Sequence, residues 1–170
     1  VGWDSVLGQM DFGPEATRDF HETAGMWFDR WLKEDENGVD DWPPVQLFVM
    51  GANRWRSSGQ WPLPETRYVN YYLHGGGALS PERPGYEPAD EYVYDPRDPV
   101  MTRFSAQGQQ EPWDQSPLEH RQDVLVYSTP PLETPLEVVG PVTATLFASS
   151  SARDTDFVVK LIDRHPDGFA

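Results

Sequence analysis

The clearest hydrophobic pattern in this chain is a stripe of apolar residues at helical spacing near its N-terminal end. These residues recur every three or four positions, with Pro14 at a first-turn position and Asn37-Gly38 as a stop signal. The pattern predicts a helix over about residues 14–33. Its apolar face carries bulky aromatic rings, which predicts packing against a large surface. The stripe consists of Ala16, Phe20, Ala24, Trp27, Phe28 and Trp31.

A short apolar run follows this helix. Residues 45–50 lie between Pro43-Pro44 and Gly51, and their composition predicts a buried strand. A helix that leads into a buried strand is typical of the αβ half of a βαβ unit. Residues 1–62 are therefore predicted to form the C-terminal end of an α/β domain.

The pattern changes after residue 62 to short segments rich in β-branched and aromatic residues, separated by Pro, Gly and Asp turns. At 170 residues the chain has room for one ordinary domain, or for the end of one and the start of another. We predict an antiparallel β-sandwich over residues 63–170, most simply a jelly roll. It is expected to be incomplete, because the turn signal His165-Pro166-Asp167-Gly168 is followed by only two residues. The predicted strands cover residues 67–74, 91–94, 123–128, 136–148 and 156–163.

Charge and composition exclude several classes of function. The chain has 13 Lys and Arg against 28 Asp and Glu, and its net charge of −15 repels phosphate backbones and anionic lipids. We expect no nucleic-acid partner and no membrane partner. The lack of Cys excludes disulfides and a cysteine nucleophile. It fits a cytoplasmic location, and a secreted protein without disulfides would have the same composition. The acidic composition is typical of salt-adapted proteins, and also of proteins whose net charge serves solubility.

No catalytic motif in the sequence is complete. A hydrolase serine on an α/β scaffold usually lies in Gly-x-Ser-x-Gly, and every Ser here lacks that context; Ser57 is predicted to lie in a loop. The string His74-Gly75-Gly76-Gly77 matches an oxyanion-hole motif of some esterases, but no nucleophile motif follows it. A glycine-rich turn after a strand is the better interpretation. The four histidines lack the spacing of zinc ligands.

Two groups of carboxylates and a group of tryptophans have alternative interpretations. The strings Asp95-Pro96-Arg97-Asp98-Pro99 and Asp154-Thr155-Asp156 hold the oxygen ligands that calcium requires, or a pair of catalytic carboxylates. Neither has a complete ligand set, and turns capped by their own carboxylates are the simpler hypothesis. The tryptophans are expected either to line a ligand cleft or to lie in the hydrophobic core. They are Trp55, Trp61 and Trp113.

Several short stretches of the sequence, in their order along the chain, resemble those of a known family. The longest is V-Q-L-F-V-M-G-A-N-R-W-R-S-S-G-Q-W at residues 45–61, followed by Pro62, and Y-D-P-R-D-P-V comes next at residues 94–100. Shorter strings are W-F-D-R-W-L at residues 27–32, R-Q-D-V-L-V-Y-S at 121–128, E-V-V-G-P-V at 137–142, D-T-D-F at 154–157, K-L-I-D at 160–163 and P-D-G at 166–168. In this order the chain resembles the cocaine-esterase-like hydrolases, the family that includes the X-prolyl dipeptidyl aminopeptidases.

The resemblance implies a parent protein with an α/β-hydrolase domain, an inserted helical cap and a C-terminal jelly roll. Such a parent acts as a serine hydrolase on esters or on amide bonds after proline, and needs no metal or organic cofactor. Its serine, aspartate and histidine would precede Val1, so we expect this chain to lack the catalytic residues and to be inactive by itself. Residues 1–62 would then be the end of the hydrolase domain, and residues 63–170 an incomplete jelly roll. The ester or peptide substrate would bind through the missing hydrolase core.

The resemblance also implies three substrate-contact residues. In the family the loop after the Asp-Pro turn, here residues 101–113, reaches over the acyl pocket, which implies contacts from Arg103, Phe104 and Trp113. This chain departs from the family at Met101-Thr102, where Pro and small residues are usual, and its loop is short. The alternative is that Phe104 and Trp113 anchor a domain interface.

Two further hypotheses concern the whole chain. The first is a jelly roll that binds carbohydrate through exposed aromatic residues. The second is a structural domain that caps and dimerises the parent, so that the chain forms a homo-oligomer. The aromatic helix face predicts that the isolated chain exposes apolar area and self-associates.

Overall fold

The structure, a computed structural model, describes residues 4–104 and 112–170, which fall into two units. Unit 1 comprises Val1–Pro64 and Thr102–Asp114, and unit 2 comprises Glu65–Met101 and Gln115–Ala170. Unit 1 contains the hairpin of β1 (Val6–Leu7) and β2 (Met10–Asp11), the helix α1 (Phe20–Lys33), and the hairpin of β3 (Val45–Val49) and β4 (Arg54–Ser58). Unit 2 contains the hairpin of β5 (Tyr72–His74) and β6 (Ala78–Ser80). The predicted boundary at residue 62 stays a prediction, since residues 102–114 also belong to unit 1.

The helix α1 spans Phe20–Lys33 and has a well-defined cap at each end. At its start, Oδ1 of Asp19 accepts hydrogen bonds from the backbone N–H groups of His21 at 2.8 Å and Glu22 at 3.0 Å. At its end, Glu34 adopts the left-handed conformation with φ 60°. Side-chain caps of this kind satisfy amides that a first turn otherwise leaves without partners.

The predicted start of this helix at Pro14 is wrong, while its predicted end is confirmed. Pro14–Ala16 forms a separate 3-10 turn, and the chain is extended at Thr17, where ψ is 137°. The true start is Asp19, which has Glu at the third helical position, the arrangement of a capping box. Proline fits the first turn of a short 3-10 helix as well as the first turn of an α-helix, so Pro14 does not by itself mark the start of α1.

The strand predicted over residues 45–50 is confirmed, but its partner was not expected. β3 (Val45–Val49) pairs antiparallel with β4 (Arg54–Ser58), so the prediction that Ser57 lies in a loop is wrong. The chain reverses between them at Gly51 and Asn53, which have φ 84° and 48°. Glycine and asparagine are the residues that most readily adopt such positive φ values in a tight turn.

The interior of unit 1 is built around aromatic side chains. Phe48 of β3 contacts Phe12 edge-on at 6.4 Å between ring centroids, and Trp55 of β4 at 5.5 Å. The indole Nε1 of Trp55 donates to the carbonyl of Glu15 over 2.7 Å, and the guanidinium of Arg18 lies 3.7 Å from the Trp55 ring centroid. The β3–β4 hairpin is thereby fixed to the segment that precedes α1. Among the residues of unit 1 that the structure describes, the buried apolar ones are Phe12, Ala16, Val39, Val49 and Leu63.

Unit 2 contains one short hairpin, of β5 (Tyr72–His74) and β6 (Ala78–Ser80). The glycine-rich turn predicted after His74 is confirmed, although the strand before it is shorter than the predicted span of residues 67–74. β6 also forms a parallel bridge to Ser128, whose N–H donates to the carbonyl of Gly77 over 2.8 Å. This bridge connects the hairpin to a distant part of the chain.

The strands predicted over residues 91–94, 136–148 and 156–163 carry no sheet pairing among the described residues of unit 2. An apolar, β-branched sequence shows only that the side chains are compatible with a strand. A strand in a sheet also needs a neighbouring segment that pairs with its backbone N–H and C=O groups. The apolar side chains there are exposed, with Val142 at 65% and Val158 at 82%. The observed fold class is therefore a partial β domain with short antiparallel hairpins.

Candidate functional site

The predicted substrate-contact residues lie on the part of the chain that belongs to unit 1 after residue 101. Nη1 of Arg103 donates to the backbone carbonyl of Asp114 over 2.9 Å and lies 3.7 Å from its carboxylate Oδ2. Phe104 is 60% exposed and Trp113 is half-buried. The rest of the predicted loop, residues 105–111, lies outside the described residues. A role in substrate contact stays a prediction for Arg103, Phe104 and Trp113.

Gln9 attaches the end of this loop to the first hairpin of unit 1. Its Oε1 accepts from the backbone N–H of Asp114 over 2.8 Å, and its own N–H donates to the carbonyl of Pro112 over 2.9 Å. Gln9 lies between β1 (Val6–Leu7) and β2 (Met10–Asp11). These two bonds hold the backbone on both sides of Trp113 against Gln9.

A cluster of polar side chains surrounds the turn after β5. Nδ1 of His74 lies 3.0 Å from Oε1 of Glu87, and Nε2 lies 3.0 Å from both Oγ of Ser80 and the carbonyl oxygen of Glu82. The backbone N–H of Gly75 donates to the second oxygen of Glu87. This amide, and then the histidine, hold the pKa of Glu87 below its ordinary value, because both hydrogen bonds favour the ionised carboxylate.

The sequence drew attention to His74 but not to its partners. Ser80 and Glu87 follow the histidine by 6 and 13 residues, which is not the spacing of a known motif. Ser80 meets it through the pairing of β5 with β6, whereas Glu87 meets it because residues 81–87 fold back over the turn. No pattern along the chain could have indicated this contact.

The carboxylates of the predicted turn at residues 95–99 are bound by arginines. Oδ1 of Asp95 accepts from the backbone N–H of Arg97 over 3.0 Å, which confirms the predicted self-capped turn. Arg121 binds Asp123 through two hydrogen bonds of 2.7 and 2.8 Å and donates to the carbonyl of Asp98 over 2.8 Å. The bonds to the carboxylates of Asp123 and then Asp98 raise the pKa of Arg121, and the bonds from Arg121 lower the pKa of Asp123. Within the described ranges, no group of three or more His, Asp or Glu is arranged to hold a metal ion.

The aromatic face of α1 is exposed. Trp27 and Trp31 contact each other at 5.7 Å between centroids, and they are 49% and 54% exposed. Phe28 is 57% exposed and Leu32 is 77% exposed, and α1 has no buried residue. An apolar patch of this kind is typical of a protein contact surface. In the part of the chain that the structure describes, no helix has the length and apolar character needed to cross a membrane.

Comparison with known proteins identifies the family. Residues 37–170 match the model of the X-Pro dipeptidyl-peptidase C-terminal non-catalytic domain. The chain belongs to this family. It is 46% identical over 175 residues to the cocaine esterase of Rhodococcus sp. (strain MB1 Bresler), a match that covers 94% of this chain and 30% of that protein. The resemblance inferred from the ordered strings is therefore confirmed.

More distant relatives support the same family. Proteins of Mycobacterium bovis (strain ATCC BAA-935 / AF2122/97) and Mycobacterium tuberculosis (strain CDC 1551 / Oshkosh) that are named as serine esterases are each 35% identical over 154 residues. These matches cover 84% of this chain and 23% of each relative. The chain thus spans less than a third of the length of these curated relatives.

Proposed function

We propose that this chain is the C-terminal part of a serine hydrolase that cleaves esters, or amide bonds after proline, through an acyl-enzyme. The observation that carries the proposal is the 46% identity to a cocaine esterase across 94% of this chain. The family description, a non-catalytic domain of X-Pro dipeptidyl-peptidases, fits a chain in which no serine lies in Gly-x-Ser-x-Gly. The catalytic Ser, His and Asp are proposed to belong to the remainder of the parent protein.

The proposed mechanism is that of an acyl-transferring serine hydrolase. The serine attacks the acyl carbon while the histidine takes its proton, and the aspartate holds the histidine in the required orientation. The histidine then protonates the leaving group, and water releases the acyl group by the same path. Arg103, Phe104 and Trp113 are proposed to contact the acyl portion of the substrate, which would place them beside this chemistry and not in it.

The proposed contribution of the chain to the fold is twofold. α1 and β3 are proposed to be the last helix and strand of the α/β-hydrolase domain. Unit 2 is proposed to be part of the C-terminal jelly roll of the parent protein. The exposed faces of Trp27, Phe28 and Trp31 support this, because an aromatic helix face needs a large apolar surface to cover it. The apolar segments of residues 136–148 and 156–163, which carry no sheet pairing among the described residues, support it in the same way, since strands of a sandwich are covered by a facing sheet.

A chimera tests the proposal directly. The segment of the Rhodococcus cocaine esterase that matches this chain is replaced by residues 1–170, and hydrolysis of p-nitrophenyl acetate is measured. We expect the chimera to hydrolyse the ester and to lose this activity after treatment with a serine-directed phosphonate. The isolated chain should neither hydrolyse the ester nor react with the phosphonate.

Matched variants of the chimera test the role of α1. Trp31→Ser removes an exposed aromatic ring from the face, while Glu36→Ser changes an exposed side chain just beyond the end of the same helix. We expect the first substitution to reduce the yield of active chimera and the second to leave it unchanged. A chimera that is folded and monodisperse yet inactive would contradict the proposed function, as would phosphonate-sensitive turnover by the isolated chain.

A further inference from the structure

The segment that follows α1, residues 35–41, folds back along the helix, and polar contacts hold it there. Nδ2 of Asn37 donates a hydrogen bond to the backbone carbonyl of Met26, within α1, over 2.7 Å. Nε of Arg30, also on α1, lies 2.6 Å from Oδ2 of Asp40. We call residues 35–41 the return segment. Its attachment to the helix thus includes one amide and one ion pair.

The contact of Asn37 with the helix needs an amide and not a carboxylate. The carbonyl of Met26 can only accept hydrogen bonds, and Nδ2 of asparagine supplies the donor. Oδ1 of the same side chain accepts from the N–H of Val39, whose own side chain is buried. An aspartate at this position would keep the second bond and lose the first. It would also set a negatively charged oxygen against the carbonyl oxygen of Met26.

The sequence places a glycine directly after this asparagine. The backbone nitrogen of the next residue can attack Cγ of an asparagine, and a C–N bond then closes a five-membered succinimide ring. The attacking nitrogen gives up its proton, and Nδ2 takes a proton and leaves as ammonia. Water then opens the ring to aspartate or to its isomer linked through the side chain. Glycine hinders the attack least, because it has no Cβ.

The three asparagines of the chain differ at the position that matters for this reaction. Asn37 precedes Gly38, whereas Asn53 and Asn70 precede an arginine and a tyrosine. Gly38 is exposed, and among the described residues beyond its chain neighbours no atom lies within 4 Å of the place where a Cβ would stand. Water, the second reactant, can therefore reach the bond between Asn37 and Gly38.

We propose that Asn37 is a site of spontaneous deamidation, at which conversion to aspartate releases the return segment from α1. Asparagine is among the residues whose chemical lability limits the life of a protein. The reaction consumes water and releases ammonia, so no enzyme or cofactor is required. The product adds one negative charge to a chain whose net charge is already −15.

The return segment also controls the rate of the reaction. Attack on Cγ turns a planar amide carbon into a tetrahedral one, which moves Nδ2 and Oδ1 away from the carbonyl of Met26 and the N–H of Val39. Both hydrogen bonds must weaken before the ring closes. The reaction is therefore faster in molecules whose return segment has opened locally, and the pair of Arg30 with Asp40 opposes that opening.

Peptide mapping by mass spectrometry tests the proposal on the 170-residue chain, incubated at mildly alkaline pH. We expect conversion at Asn37 to be faster than at the other two asparagines. Arg30→Gln should speed it about two- to threefold, the effect of losing a partly exposed ion pair. Lys33→Gln is the matched control and should leave the rate unchanged. It removes a positive charge from the same helix, but its partner, Asp29 at 2.6 Å, also lies on α1.

A second pair of variants tests release of the return segment. Asn37→Asp reproduces the product, and it should lower the equilibrium constant of folding about tenfold in urea-induced unfolding. Asn53→Asp adds the same charge and should have a much smaller effect. Oδ1 of Asn53 accepts from the N–H of Gly51 over 3.1 Å, and an aspartate can keep that bond.

Each measurement has a result that would overturn the proposal. Conversion at Asn37 that is no faster than at Asn53 and Asn70 in the unmodified chain would exclude the site, and this measurement requires no variant to fold. Equal rates in Arg30→Gln and Lys33→Gln would show that the return segment does not control the reaction. Equal loss of stability in Asn37→Asp and Asn53→Asp would show that deamidation does not release the segment.

Discussion

Trp55 makes two contacts that substitution can remove separately. Its indole N–H donates to the carbonyl of Glu15 over 2.7 Å, and the guanidinium of Arg18 lies 3.7 Å from the centre of its ring. Trp55→Phe removes the N–H and keeps an aromatic ring, while Trp55→Leu removes the ring as well. Arg18→Met removes the charge and keeps most of the alkyl chain.

The size of each effect follows from the contact that is lost. Losing the bond to Glu15 should lower the free energy of unfolding by about 1 kcal/mol in Trp55→Phe. The interaction between Arg18 and the ring should contribute about 0.5–1 kcal/mol, since Arg18 is exposed. Arg18 also donates to Oε1 of Gln46 over 2.7 Å, so Arg18→Met alone overstates that interaction.

A double-mutant cycle separates these contributions. The bond from Arg18 to Gln46 does not involve Trp55, and its loss cancels when Arg18→Met is measured in the presence and absence of Trp55→Leu. The assay is urea-induced unfolding followed by far-UV circular dichroism, with equal m-values required across the cycle. We expect a coupling energy of about 0.5–1 kcal/mol. A coupling of zero in variants that all unfold cooperatively would refute the proposed interaction.

Three other predictions concern the helix cap, the glycine turn and acid stability. Asp19→Ala should lower the free energy of unfolding in urea by about 1 kcal/mol, and Asp19→Ser should restore most of it, because serine also caps a helix. Gly77→Ala should lower the melting temperature more than Gly76→Ala. Both glycines have positive φ, 79° and 76°, but only at Gly77 would the new Cβ meet a backbone carbonyl oxygen, at 2.8 Å. Hydrogen bonds from Arg121 lower the pKa of Asp123 from its ordinary 3.8, so the stability it contributes is present above that value and is lost as pH falls through the folded value. Asp123→Asn should therefore flatten the decline in melting temperature below about pH 4, and an unchanged decline would assign acid sensitivity to other groups.

The helix was the most predictable element because its signals are local. An apolar stripe at helical spacing and a stop near Asn37-Gly38 located α1 and its end. The start was missed because Pro14 and Asp19 are both good start signals, and the sequence alone does not rank them. Because Thr17 has an extended backbone, the helix cannot continue back to Pro14, and it begins after Asp19.

The pairing of strands was less predictable because it depends on a second segment. The run at residues 45–50 was correctly predicted as a strand, but β4 is Arg-Trp-Arg-Ser-Ser and has too little apolar character to be recognised alone. It is a strand because the turn at Gly51 and Asn53 brings it beside β3. For residues 136–148 the opposite holds, since a strand-like sequence has no pairing neighbour among the described residues.

The family pattern is the one sequence signal that bears on substrate contact, and the contacts that it implies stay predictions. The ordered strings identified the family, and with it a loop that contains Arg103, Phe104 and Trp113. The His74 cluster could not be predicted, because Glu87 reaches the ring through a fold-back of the chain and not through a regular spacing. Hydrogen-bond partners set by such a fold-back leave no periodic signal in the sequence.

The exposed apolar side chains and the acidic surface act in opposite directions when two copies of this chain approach each other. The net charge of −15 repels a second copy, whereas the aromatic face of α1 and the exposed valines of unit 2 attract it. Charge repulsion reaches about 10 Å at 0.1 M salt and only about 3 Å at 1 M, while apolar attraction is not screened. Added salt should therefore promote association of the isolated chain, which makes ionic strength, more than protein concentration alone, the variable that controls its colloidal behaviour.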